Sequence, residues 1–389
     1  MQNTQRKSML ESAFIERFGA PPTLFVQAPG RVDLMGSHTD YNLGYVLTQA
    51  LDLNVWLALR PRPDAVLRVC SLDIEGCGEF DLQNVSYNQA IPWTNYMGGV
   101  AAILRQEGYD LKGFDALVQS TVPIGSGLSS SAAMEVATAV AFDQISGLAL
   151  PPVEMAKICQ RAENEFVGMN CGILDQYSSA MGVANSTILL DCRSVTHEIK
   201  PIAPGVQVMI CDTRAKRELT GSEYPERRAQ CEQGARILNG FYPEIQSLRD
   251  VTLEQLVAHQ ADMTHLVYKR CKFIIEENQR VLDMAAALET GDHVQAGRLA
   301  LESFAGARDL YEIVSSEMIA MHDAIVSAPG VFGARGAGAG FGGCLVAFIQ
   351  DGMQESFACH VYSDYSIQTG IEPEIYQARA AAGAGVLAE

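Results

Sequence analysis

Positive charge is what this 389-residue chain has least of: 28 Lys and Arg stand against 46 Asp and Glu, for a net charge of −18. Nucleic acid and anionic membrane surfaces reward clustered basic residues, so neither is an expected partner. Long apolar runs are missing as well, and no stretch reaches the ~20 residues that a membrane helix needs. The N-terminal MQNTQRKSMLESAF has no apolar core of a secretory signal. The ten cysteines form no CxxC pair and no Cys/His metal spacing, and they read as reduced thiols of a cytoplasmic protein. There is no internal repeat and no low-complexity linker. What remains is a globular chain, 48% hydrophobic and too long for one simple core. Two domains are expected, 1–200 and 201–389, divided within the polar, Pro-containing stretch 194–205.

The chain is organised around TVPIGSGLSSSAA at 121–133. A strand at 114–120 feeds into it, and an Ala-rich helix leaves it at about 132–145. Gly125 and Gly127 let the backbone turn sharply, and Ser126, Leu128, Ser129, Ser130 and Ser131 complete the turn. Strand, turn and helix N-terminus together suit a phosphate. No Gly-Lys-Ser/Thr follows, so this is not a Walker A loop. A nucleotide held here would need a metal ion and remote arginines to balance its charge. The competing reading is that Ser129–Ser131 only cap a helix.

Other segments carry candidate chemistry. The stretch PGRVDLMGSHTDYNLG, 29–44, packs Arg31, Asp33, Ser37, His38, Asp40, Tyr41 and Asn42 into an expected ligand loop between strands at 23–28 and 46–60. Trp93 and Tyr96, at the start of a helix over 93–106, offer an apolar face for a base, or simply core. A helix over 155–166 carries Glu163, and Asp175 sits near the start of the next helix, as an N-cap or a positioned carboxylate. Strands are expected at 66–71, 187–192 and 206–212. A basic loop and helices at 222 onward, 253–260, 263–288, 292–312 and 316–328 follow. Glycines crowd 333–343, where a formal GxGxxG is followed by a strand at 345–349. A dinucleotide fold would put a helix there, so a pocket-lining turn is the better account. A last strand is expected near 371–376.

Four stretches, 29–47, 123–133, 171–182 and 333–344, resemble the galactokinase branch of the small-molecule kinases named for galactose, homoserine, mevalonate and phosphomevalonate. A fifth, LTGSEYPERRAQCE at 219–232, looks specifically galactokinase-like. The resemblance implies a two-domain α+β fold with mixed sheets and an active site in the cleft. It implies ATP-dependent phosphorylation of the anomeric hydroxyl of a hexose, first of all D-galactose. Galacturonate and L-arabinose are the alternative substrates, and a catalytically silent sugar sensor is the alternative of a different class. By resemblance the glycine-rich loop wraps ATP, Ser130 or Ser131 and Glu163 surround Mg²⁺, Asp175 is the base and Arg31 lies beside the transferred phosphate. Ser37, His38, Asp40 and Tyr224 fall at sugar-contacting positions, with Gly172 offering a backbone contact. A monomer or weak homodimer is expected. Galactokinases usually read GRVNLIGEHTDY, whereas this chain reads GRVDLMGSHTDY. Ser37 thus replaces a glutamate expected at the sugar's 6-hydroxyl, and Asp33 replaces an asparagine.

Overall fold

The computed structural model describes residues 3–215 and 223–387. Two sheets carry it. In the first, β1 (Leu24–Met35), β2 (Tyr45–Pro61), β3 (Val66–Ser71), β4 (Cys77–Asp81) and β5 (Phe114–Ser120) run in the order β1-β2-β5-β3-β4. β6 (Thr187–Asp191) pairs with β2, and β7 (Thr196–Lys200) pairs with β6. The second sheet takes β8 (Val206–Asp212), β9 (Val331–Gly336), β10 (Cys344–Gln350) and β11 (Glu374–Gln377), in the order β11-β8-β10-β9. The tail returns to the first sheet, where β12 (Gly385–Val386) pairs with β1. Among the described residues only β3 and β5 run parallel; the other pairs are antiparallel.

Helices cover these sheets for reasons visible in their residues. In α3 (Ser130–Ser146) every residue from Ala132 to Phe142 is buried, the all-round burial of a helix sandwiched in a core. Its alanines bring the backbone close to β1 and β2, so a bulky residue at Ala133 or Ala137 would overpack by about 1–3 kcal/mol. α2 (Asn95–Gln106), α4 (Pro152–Arg161) and α5 (Leu174–Met181) pack against α3. α6 (Glu223–Asn239), α7 (Leu253–Ala258), α8 (His265–Thr290), α9 (His293–Gly306) and α10 (Ser316–Val326) follow β8. α8 and α9 contribute Val281, Met284, Leu288 and Leu299 to the same core as the first sheet, so the two sheets share apolar packing.

Four expectations change. Residues 29–35 are strand and not loop: β1 runs on to Met35, with Arg31 opposite Ala50 and Asp33 opposite Thr48. The polar stretch 194–205 contains β7, whose residues face outward and so lack an apolar pattern. An unforeseen α11 (Gln354–Thr369) buries only Phe357, Val361 and Tyr365. Cys70 and Cys77 are bonded as a disulfide, because the β3–β4 register sets them opposite one another with Cα atoms 4.3 Å apart. The expected basic loop falls largely on 216–222, outside the described residues.

Candidate active site

Arg31, midway along β1, and Asp175, in the first turn of α5, are 144 positions apart in sequence and in contact in space. The Arg31 Nε and Nη2 groups donate to Asp175 Oδ1 at 2.9 and 2.6 Å, and Nη1 donates to the Gly127 carbonyl at 2.6 Å. Ser129 donates its hydroxyl to the other Asp175 oxygen. It does so from a left-handed backbone, φ 59°, and makes no side-chain cap bond to α3. The capping reading therefore fails at this serine. Burial opposes the Arg31 charge, but Asp175, Asp33 and Asp40 outweigh it and raise the guanidinium's pKa. Asp175 keeps 28% of its side chain exposed against 5% for Arg31, which leaves the carboxylate open to a cavity.

That cavity has a volume of about 570 Å³. Arg31 and Asp175 line it together with Gly125, Gly127, Ser129, Ser130, Ser131 and Glu163. Trp93, Tyr96, Val55 and Ile74 give another part of the wall an apolar, aromatic face, and the Trp93 indole donates to the Glu75 carbonyl at 3.2 Å. Ser126 and Leu128 do not line it. The Ser126 hydroxyl turns back to the Pro123 carbonyl at 2.9 Å, and Leu128 is wholly buried in the core. Beside the Gly-Ser turn lies the second glycine-rich turn: Gly338, Ala339 and Phe341 reach the cavity. A Cβ added to Gly338 would stand 3.3 Å from the Gly127 carbonyl, so the two turns are nearly back to back.

Glu163 lies on a π-helical turn, Ala162–Val167, that interrupts the helix expected over 155–166. Its Oε1 accepts from Ser131 at 3.4 Å, and its Oε2 accepts from Gln176 at 2.6 Å. Burial and the nearby Asp175 push its carboxyl up to about 7. Glu163 shares this corner with Ser130, Ser131 and the Cys171 thiol, which donates to Glu163 Oε2 at 3.3 Å, and the described residues hold no cluster of three metal-ligating groups. That donor set fits Mg²⁺, which keeps several waters and takes phosphate oxygens, and does not fit a metal caged by protein.

On the remaining wall stand Ser37, His38, Asp40, Gly172 and Tyr224. Asp40, pushed up to about 6 by burial, packs against Gly172 so tightly that a Cβ there would lie 1.8 Å from its Oδ2. Gly172→Ala is therefore expected to displace Asp40 and lower kcat/KM for the sugar by about 10–100-fold. Steady-state kinetics checks it, with the KM for ATP as the control that should stay put. His38 has both ring nitrogens in use. Ala339 O, which only accepts, fixes the proton on Nε2 at 3.0 Å, so Nδ1 accepts from the Tyr41 hydroxyl at 2.8 Å. Burial drives the imidazole's pKa down to about 4. His38 thus has no nitrogen left for a ligand, whereas the Tyr224 ring, 5.1 Å from it, borders the cavity.

Sequence reading passed over Arg335 and Glu277. Arg335, 2% exposed on β9, donates Nη1 to the Asp33 carbonyl and carboxylate at 3.0 and 3.2 Å, and Nη2 to Ser37 Oγ at 2.7 Å. Its Nε reaches Ser303 at 3.1 Å, and Glu277 stands 3.4 Å from Nη2. An arginine inside the otherwise apolar strand VFGARG was the available signal.

Fold and site define a GHMP kinase. The family model described as GHMP kinases N terminal domain matches residues 95–183, and GHMP kinases C terminal matches 284–365. The galactokinase galactose-binding signature matches residues 12–61. Galactokinases of Roseiflexus sp. (strain RS-1) and Chloroflexus aggregans are each 40% identical to this chain, over 97% of its length and 96% and 97% of theirs. The crystal structure of Lactococcus lactis galactokinase complexed with galactose superposes with a TM-score of 0.94 at 32% identity, over 98% of this chain and all of that one. The chain belongs to the galactokinase family. No described helix is long and apolar enough to cross a membrane.

Proposed function

We propose that the protein transfers the γ-phosphoryl group of ATP to the C1 hydroxyl of D-galactose, giving galactose 1-phosphate and ADP. The observation that carries this reading is the Arg31–Asp175 pair, set where the Gly-Ser turn meets the wall bearing Asp40 and Tyr224. Phosphoryl transfer asks mainly for positioning and charge neutralisation. Asp175 accepts the proton of the anomeric hydroxyl as its oxygen attacks phosphorus. Arg31 fixes that carboxylate from one side and neutralises charge on the transferring group. The N–H groups of Gly125, Gly127 and Ser129–Ser131 cradle the phosphates, and Trp93 with Tyr96 faces the base. Ser131 and Glu163 would hold Mg²⁺, which when bound would supply further neutralisation of phosphate oxygens. Asp40 and Tyr224 hold sugar hydroxyls, the Gly172 backbone closes over them, and His38 acts by holding Tyr41 and the Ala339 turn in place. A silent sensor would not need Asp175 held between Arg31 and Ser129. The deciding experiment follows ADP release with galactose, galacturonate and L-arabinose, and assigns the phosphate position by NMR. Release of ADP with none of them, or a phosphate away from C1, ends the reading.

A pH dependence follows from Asp40. Its carboxyl is pushed up to about 6, so it is ionised above that pH and protonated below it. The ionised form accepts two sugar hydroxyls and the protonated form accepts less. Galactose affinity, measured by calorimetry, is expected to be flat above pH ~7 and to weaken by up to about tenfold per unit below ~6. An affinity indifferent to pH between 5 and 7 contradicts this role.

A further inference from the structure

Glu135 and Gln176 stand behind the cavity. Both are wholly buried, Glu135 on α3 and Gln176 on α5, and neither lines the cavity wall. The Gln176 Nε2 group donates to Glu135 Oε2 at 3.0 Å and to Glu163 Oε2 at 2.6 Å. An amide nitrogen carries two protons, so these two carboxyl groups use both. The Cys171 thiol donates to the same Glu163 oxygen at 3.3 Å. Glu163 Oε2 is thus engaged twice, while Oε1 accepts one long bond, 3.4 Å, from Ser131 on the cavity wall.

Three elements meet at that one nitrogen. Glu135 follows Ser131 by one turn of α3, Glu163 sits on the π-helical turn, and Gln176 comes directly after Asp175 on α5. Each element brings one group to the cavity: Ser131, Glu163 and Asp175. The amide therefore ties together the backbones that carry them. Stability does not account for this arrangement. Glu135 Oε1 and Gln176 Oε1 are buried with no hydrogen-bond partner among the described residues. A buried oxygen without a donor opposes folding, and an apolar side chain of similar size would fill the place without that penalty.

We infer that Glu135 and Gln176 are positioning residues: through the Gln176 amide they hold Glu163 in register with Ser131, so that the pair can take a phosphate-bound divalent cation. This rests on the kinase reading, with Ser131 and Glu163 as the groups that would hold Mg²⁺. Glu135 anchors the amide from α3, and the amide in turn fixes which way the Glu163 carboxylate faces. Loss of such a partner behind a ligand typically changes metal affinity by about 10–100-fold. Glu135→Gln preserves the link, because its carbonyl oxygen accepts from Gln176 as the carboxyl does. Glu135→Met fills the same space with an adaptable apolar chain and offers no comparable acceptor. Gln176→Met removes both bonds from the other end.

The experiment compares wild type, Glu135→Met, Glu135→Gln and Gln176→Met by two readouts. Calorimetry measures how far Mg²⁺ tightens the binding of adenylyl imidodiphosphate, an ATP analogue that is not turned over. Steady-state kinetics gives the Mg²⁺ concentration for half-maximal turnover and the KM for galactose. Both methionine variants are expected to lose about tenfold or more of the Mg²⁺-dependent gain in affinity and to need about tenfold or more Mg²⁺ for half-maximal turnover. Their KM for galactose should stay within about twofold of wild type. Glu135→Gln should stay within about threefold of wild type on both metal readouts. The gain in affinity is a ratio within one variant, so general damage to the fold cancels, and Gln176→Met reads the same link should Glu135→Met not fold. Methionine variants with the Mg²⁺ gain of wild type, or a Glu135→Gln as impaired as Glu135→Met, overturn the inference while leaving the kinase reading intact. A wild-type enzyme that releases no ADP with any of the sugars, or that turns over without a divalent cation, overturns the reading beneath it as well.

Discussion

Asp175→Asn is expected to lower turnover by about a thousandfold or more while ATP affinity stays within about threefold. The amide keeps the volume of the carboxylate and can still accept from Arg31 at Oδ1, so the local packing survives. What it loses is the ability to take a proton. It also turns a donor toward Ser129, whose hydroxyl presently donates to Asp175 Oδ2. Asp175 is bonded to Arg31 and Ser129 and not to Trp93, Tyr96 or Gly125, the residues proposed to face the nucleotide, which is why binding should persist. Single-turnover kinetics separates the two effects: the chemical step should collapse while nucleotide binding, followed by calorimetry, should not. Turnover within tenfold of wild type would remove Asp175 from the role of base.

Arg31→Lys is the second large effect, although it conserves charge. The guanidinium engages Asp175 through two nitrogens and the Gly127 carbonyl through a third. An ammonium cannot span those directions from one point. Either the carboxylate or the Gly-Ser turn loses its tether, and both sit where the reacting groups must align. Turnover is expected to fall about a hundredfold or more, with a lower melting temperature because the displaced group is 4% exposed. Since Arg31 and Asp175 act as a unit, the double variant should be little worse than Asp175→Asn alone. Losses that simply multiply would show that the two side chains act independently.

Much of the architecture was legible because it is written locally. β5 and β10 are apolar runs bounded by turn residues, and the long helices α8 and α9 carry regular apolar stripes. The failures have physical causes. α11 buries a stripe of only Phe357, Val361 and Tyr365, too thin to stand out among its polar and aromatic neighbours. The charged Arg31 and Asp33 make residues 29–35 read as loop beyond a strand ending at Ala28; they are tolerated in a buried strand only because Asp175 and Arg335 answer them across the fold. No local pattern announces such partners. The approach of Arg31 to Asp175 came from resemblance and not from spacing, since 144 intervening residues leave the geometry open. The state of His38 was likewise hidden, because a sequence does not say which nitrogens a fold will occupy. The π-helical turn under Glu163 has no signature in AENEFV at all.

Gly127 and Gly338 nearly touch, although more than half the chain separates them. A recombination event between two relatives with its crossover anywhere in that interval would inherit one of these turns from each parent. Their backbones lie so near that even a Cβ on Gly338 would crowd the Gly127 carbonyl. Chimaeras joined there should therefore lose nucleotide use sooner than their overall sequence divergence would suggest, and lineages exchanging these genes should retain breakpoints mostly outside the interval.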